Sequence, residues 1–138
     1  MANRKTLLLV GDNARLKEFA AAFAATDTTT EIATDNHAAL AYLKSAKILP
    51  DGVAFIVPVY WESVGDFVKA IRSNPALERL PIVYLGDFIE AADQVMLKHE
   101  GVHTLTLGPV PTSEAVRYIL KILDENISRV FEPRRVVD

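Results

Sequence analysis

Short apolar runs and helix-period segments alternate along the whole chain. The runs are rich in β-branched residues: TLLLV (Thr6–Val10), TTEIAT (Thr29–Thr34), GVAFIV (Gly52–Val57), PIVYL (Pro81–Leu85) and HTLTL (His103–Leu107). Runs of this length and composition predict strands. Several are apolar throughout rather than alternating, as a sheet covered on both faces requires. Between and after them, apolar residues recur at the i, i+3, i+4, i+7 spacing of a helix with one buried stripe. Leu16, Phe19, Ala20 and Phe23 do so in the first segment, and Val64, Phe67, Val68 and Ile71 in the third. The last carries Val116, Ile119, Leu120, Leu123 and Ile127. Ala39, Leu40 and Leu43 mark a second helix, and Ile89, Ala92, Val95 and Met96 a fourth.

The residues between these segments fit the same reading. Asp12 or Asn13 can cap the first helix and Asp35 or Asn36 the second, while DFIE (Asp87–Glu90) has capping-box spacing for the fourth. Asn74-Pro75 stops the third helix and Gly101 the fourth. Five strands alternating with five helices predict an α/β fold with a parallel sheet between two helical layers. The segment SRVFEPRRVVD has lost clear periodicity and carries Pro133. One domain over residues 5–127 and a tail over 128–138 are therefore expected.

Composition narrows the function classes. The chain has 138 residues, half of them hydrophobic and 24% charged, which suits one soluble domain. A net charge of −3 gives no basic patch of the kind nucleic acid attracts, so no nucleic-acid partner is expected. With no cysteine, disulfides and thiolate metal sites are excluded. No run approaches the roughly 18–20 apolar residues of a membrane span. The apolar stretch after Arg4 and Lys5 is shorter than the core of about 7–15 residues that a signal peptide needs. A cytoplasmic location is expected.

In such folds the ligand crevice lies at the carboxyl ends of the strands. The loops there are VGDNA, TDNHA, VPVYWESVG, LGDFIE and LGPVPTSE. The third is unusual, because the ten residues Gly52 to Trp61 contain no charge.

At this point the chain resembles the receiver domain of bacterial two-component response regulators (CheY-like), over roughly Lys5 to Ile127. The most specific part is PDGVAFIVPVYWESVGDFVKAIRSNPALERLPIVYLGD. It follows that family's rhythm of Pro-Asp, buried strand, loop, helix, Asn-Pro-Ala-Leu and an Ile-Pro-Val-like fourth strand. LTLGPVPTSEAV and LLLVGDN are similar to its fifth and first strands with their following turns. The resemblance implies a flavodoxin-like (βα)5 doubly wound fold with a five-stranded parallel sheet.

It also implies a chemistry: an acceptor aspartate after the third strand, and an acidic pair after the first holding Mg²⁺. A Thr or Ser after the fourth strand and a Lys after the fifth complete it. Here the acidic pair matches Gly11 and Asp12, and the acceptor matches Ile56, or Val57 with a one-residue slip. The Thr/Ser position matches Gly86, the Lys position Gly108 before Pro109, and the aromatic reporter of activation Leu105. Asp12 alone is a vestigial metal ligand, so no metal and no cofactor are expected. A lysine kept without its carboxylate would be an unpaired, partly buried charge, and glycine avoids that cost. The expectation is a degenerate pseudo-receiver: not an enzyme, but a phosphorylation-independent protein–protein interaction module in signalling. Two alternatives stay open. One is phosphorylation at an unusual acceptor; the other is a small ligand or substrate in the crevice that the three glycines leave open.

Other motifs carry less. HEGVH (His99–His103) matches H-E-x-x-H, but Gly101 stands where the fourth helix should end, so a helix-to-strand turn is expected rather than zinc. GDNA lacks the glycine and lysine pattern of a phosphate loop. Asp51, Asp66 and Asp87 read as capping or surface acids near the crevice face. Tyr60 and Trp61 either fill the space of a lost metal site or face a partner. Tyr118 and Ile122 lie off the core line of the last helix. The fourth helix, fifth strand and fifth helix are the usual receiver partner or homodimer face, unless the tail covers it here.

Overall fold

The computed structural model describes residues 5–11, 14–56, 61–86, 91–108 and 110–131, with the backbone alone at 14, 61–66, 93 and 126–131. The apolar runs form β1 (Lys5–Val10), β2 (Thr28–Ala33), β3 (Gly52–Ile56), β4 (Ile82–Gly86) and β5 (His103–Thr106). Five helices follow them in turn: α1 (Ala14–Ala24), α2 (Asn36–Ser45), α3 (Trp61–Arg72), α4 (Ala91–His99) and α5 (Thr112–Phe131). The strands make one parallel sheet in the order β2-β1-β3-β4-β5. This is the doubly wound, flavodoxin-like arrangement, with the order reversing between β1 and β3.

The sheet separates two apolar clusters. Leu7, Leu9, Ala54, Ile56, Val83 and Leu85 point to the side of α1 and α5, where Phe19, Phe23, Ile119 and Leu123 meet them. Leu8, Val10, Val53, Phe55, Ile82 and Tyr84 point to the other side, against Leu43 of α2, Phe67 and Ile71 of α3 and Leu97 of α4. Because side chains alternate along a strand, both faces of β3 and β4 must be apolar, and every residue of these two strands is buried. Phe55 meets Phe67 edge-to-face at 5.0 Å between ring centroids.

Local chemistry sets the boundaries. Asp35 caps α2, its carboxylate accepting from Ala38 N–H at 2.7 Å. Asp35→Ala is expected to cost about 1 kcal/mol, read as a lower urea midpoint at unchanged slope. Asp51 holds the opposite end of the sheet from the crevice: its carboxylate accepts from Thr6 N–H at 2.8 Å, and its own N–H donates to Thr6 O at 2.7 Å. The expectation that placed it near the crevice is thereby corrected, since it precedes β3 rather than following it. The caps expected at Asp12, Asn13 and Asp87–Glu90 lie outside the described residues.

α4 ends in a Schellman turn. Gly101 has φ 77, its N–H donates to Lys98 O at 3.0 Å, and Val102 N–H reaches back to Leu97 O at 2.9 Å. Leu97 and Val102, the two residues this turn brings together, are both buried. The side chain of Arg72, at the end of α3, fastens the same turn. Nε donates to Glu100 O at 3.1 Å and Nη2 to Gly101 O at 3.4 Å, while Nη1 donates to Glu78 O at 3.0 Å and Leu80 O at 2.8 Å. Burial lowers the guanidinium pKa from its usual value, and the nearby Glu100 charge opposes that shift.

Two sequence expectations change here. The apolar line assigned to α4 is not its buried face: Ala92 is exposed, Val95 is 70% exposed and Met96 38%, and Leu97 is the anchor instead. α5 also continues past Ile127 to Phe131. It ends two residues before Pro133, which disfavours a helical conformation for the residue preceding it.

Candidate functional site

The carboxyl ends of β1 and β3, where the strand order reverses, define the crevice of this fold. Gly11 follows β1, is buried, and donates its N–H to Ala33 O at 3.0 Å. Ile56 ends β3 beside Leu85 of β4, is 0% exposed, and belongs to the cluster on the α1–α5 side. Gly86 ends β4 opposite Thr106 and is buried. Gly108 is exposed in the turn after β5, with φ 40. A Cβ built there meets nothing within 4 Å, so a side chain would find room but a strained left-handed backbone.

The sequence thus places Gly11, Ile56, Gly86 and Gly108 on one rim, as expected from the strand ends. Leu105 lies one strand position before Thr106 and packs, partly buried, against the α1–α5 cluster. Asp12, Val57, Tyr60, Asp87 and Pro109 lie outside the described residues, as do the side chains of Trp61 and Asp66. Among the described residues no group of three His, Asp or Glu side chains could hold a metal ion. His99 closes α4 and His103 opens β5 with Gly101 between them, so HEGVH spans a turn and not one helical face.

The described rim offers no nucleophile, acid or base. Ile56 is a saturated side chain sealed from solvent, and glycines stand at three of the four strand ends considered. Among the described residues, this rim offers backbone groups and shape for binding.

A second region has more exposed character. α4, β5 and α5 enclose a groove of about 510 Å³ whose lining includes Gln94, Val95, Lys98, His103 and Tyr118. Tyr118 is half-buried, and its hydroxyl donates to Thr104 O at 3.4 Å; burial pushes its pKa up. Glu114, Arg117 and Lys121 continue the exposed face of α5 beside it. Ile122 does not belong to this face, contrary to expectation. It is 7% exposed, because α5 is apolar over a broad stripe and turns Ile122 into the core. The contribution of Val95 was not legible beforehand, since it shares helical spacing with residues that could equally have faced inward.

The sequence matches no protein-family model and no curated protein. The structure, in contrast, is similar to several solved ones. The signal receiver domain of a signal transduction histidine kinase from Syntrophus aciditrophicus superposes with a TM-score of 0.73 at 16% identity, over 97% of this chain and 98% of that one. The phosphorylated cyanobacterial phytochrome response regulator RcpA gives 0.75 at 22% identity, over 96% and 100%. A CheY-like response regulator receiver domain protein from Methanospirillum hungatei gives 0.77 at 16% identity, over 92% and 99%. At these identities the likeness is one of fold: the chain has the flavodoxin-like fold of receiver domains along nearly its whole length.

Proposed function

We propose that this protein is a pseudo-receiver, a signalling module that binds a protein partner without being phosphorylated. The fold it shares with signal receiver domains supports the signalling role. The observation that carries the rest is Ile56: the strand end at which a receiver would hold its acceptor carboxylate bears a fully buried aliphatic side chain. An acyl or phosphoryl acceptor needs a nucleophilic atom, and positioning alone cannot replace it. Gly86 and Gly108 supply no hydroxyl or ammonium for phosphoryl oxygens. The module has no catalytic role of its own, and its output passes through the partner.

The α4–β5–α5 face is the surface offered for that partner. Val95 gives it an exposed apolar centre beside Tyr118, and Lys98, Arg117 and Lys121 a largely basic rim. An aromatic and apolar centre with a polar rim is the usual anatomy of a protein-binding patch. No described helix is long and apolar enough to cross a membrane.

Incubation with acetyl phosphate and Mg²⁺ followed by intact-mass measurement tests the reading. The mass is expected to stay unchanged under conditions that label an authentic receiver run in parallel. A phosphoryl adduct would overturn it and would direct attention to Asp12, Asp66 or Asp87.

A further inference from the structure

The two edges of the sheet are finished differently. β5 forms one edge and β2 the other. In a parallel ladder, alternate residues turn both backbone groups toward one neighbouring strand, and the residues between turn them away. Leu107 donates to Gly86 O at 2.6 Å, which turns residues 103 and 105 toward β4 and leaves Thr104 and Thr106 facing outward. The outward carbonyl of Thr104 accepts the Tyr118 hydroxyl, so one side chain of α5 engages the middle of that edge.

Among the described residues, β2 has no such contact. The bond from Gly11 to Ala33 O turns Thr29, Glu31 and Ala33 toward β1, so Thr28, Thr30 and Ile32 present their N–H and C=O groups outward. The bonds between Thr6 and Asp51 on the β3 side of β1 give the same phase. Among the described residues, no hydrogen bond reaches the outward backbone groups of Thr30 or Ile32. The strand TTTEIA has neither the Lys nor the Pro that blunts natural edges, and Ile32 is 51% exposed on it. Along the same edge Asp27, Glu31 and Asp35 are all exposed, and no basic residue lies between Asp27 and Asp35.

We propose that the β2 edge is a docking site for an extended basic segment of a partner protein, which adds to the sheet as one more strand. The main-chain groups of Thr30 and Ile32 supply the pairing, and Ile32 packs against every second residue of the incoming strand. Charge chooses the occupant: Lys or Arg on the incoming strand meets the exposed Glu31. A second copy of this chain fits poorly. Pairing β2 with itself through the outward groups of Thr30 brings Glu31 of each chain into one seam with no base from either strand. This edge is separate from the α4–β5–α5 face, and its use does not depend on whether the protein is phosphorylated.

The test is titration of the ¹⁵N-labelled full chain with a synthetic peptide alternating Val or Thr with Lys, beside a control peptide with Glu for Lys. Binding is expected to slow amide exchange at Thr30 and Ile32 by about tenfold or more, with Thr29 and Glu31 little changed. Thr30→Pro removes an N–H that faces away from β1, so it costs no ladder bond, and it should abolish binding. Glu31→Lys, at an exposed position, should weaken binding about tenfold and keeps the test open if the proline variant does not fold. Equal affinity for the Glu peptide, shifts confined to another face, or no binding at about 1 mM peptide would each overturn the proposal. So would sedimentation showing a dimer of the free chain that Thr30→Pro dissociates, since the occupant would then be a second copy.

Discussion

Ile56→Asp is expected to cost about 3–5 kcal/mol, the range typical of an uncompensated buried charge. Ile56 is 0% exposed and clusters with Leu16, Phe19, Leu85 and Leu107, none of which can pair with a carboxylate. Desolvation pushes the pKa of an aspartate there above its unfolded value of about 3.9. The sign of the pH dependence follows. The folded state holds the proton more tightly than the unfolded one, so the penalty is least below about pH 3.9. It grows as pH rises through the raised folded value and is constant above it. Urea denaturation of wild type and variant near pH 5 and near pH 8 should therefore show the gap widening at the higher pH. A variant as stable as wild type at both would mean that the crevice admits water to this position. Adding Gly108→Lys would not rescue the variant, because φ 40 at that position adds about 1–2 kcal/mol of backbone strain for an L side chain.

Arg72→Met should be nearly as damaging, at about 2–4 kcal/mol and roughly 10 °C in Tm. Methionine keeps much of the stem packing but leaves four carbonyl oxygens, at Glu78, Leu80, Glu100 and Gly101, without their donor. Two of these belong to the turn that ends α4 and two to the segment that leads into β4, so one substitution loosens both. Arg72→Lys should recover less than half of the loss, because a single ammonium cannot span carbonyls that the planar guanidinium reaches together. Thermal unfolding by circular dichroism measures the cost, and hydrogen exchange at Leu97 and Val102 should rise in step. A drop in Tm below about 3 °C would mean that water serves those carbonyls equally well.

Much of the fold was legible because its signals are local and repeated. Each apolar run became a strand within one or two residues of its expected ends, and Asp35, Gly101 and Asn74-Pro75 punctuated the chain where their backbone chemistry requires. α4 was misread for a definite reason. It has nine residues and a single buried apolar anchor, so Val95 and Met96 completed a helical period without being its buried face. The role of Arg72 was invisible, since a base in the last turn of a helix ordinarily reads as a solvated partner of the helix dipole. Its four acceptors come from two other segments, and only the tertiary structure brings them together. At the crevice, the sequence placed Gly11, Ile56, Gly86 and Gly108 at or just after strand ends. It could not say that Ile56 would be wholly sealed or that Gly108 would be left-handed, because both depend on how neighbouring strands close around them.

The contact between Tyr118 and Thr104 also makes the two edges of the sheet unequal. An open sheet with two free edges can join head to tail, each β2 meeting the next β5, and such a series has no last member. Here, among the described residues, one outward carbonyl of β5 is already engaged by α5, whereas the outward groups of Thr30 and Ile32 on β2 are not. The two edges are therefore not equivalent, and this asymmetry disfavours a repeating head-to-tail series of sheets.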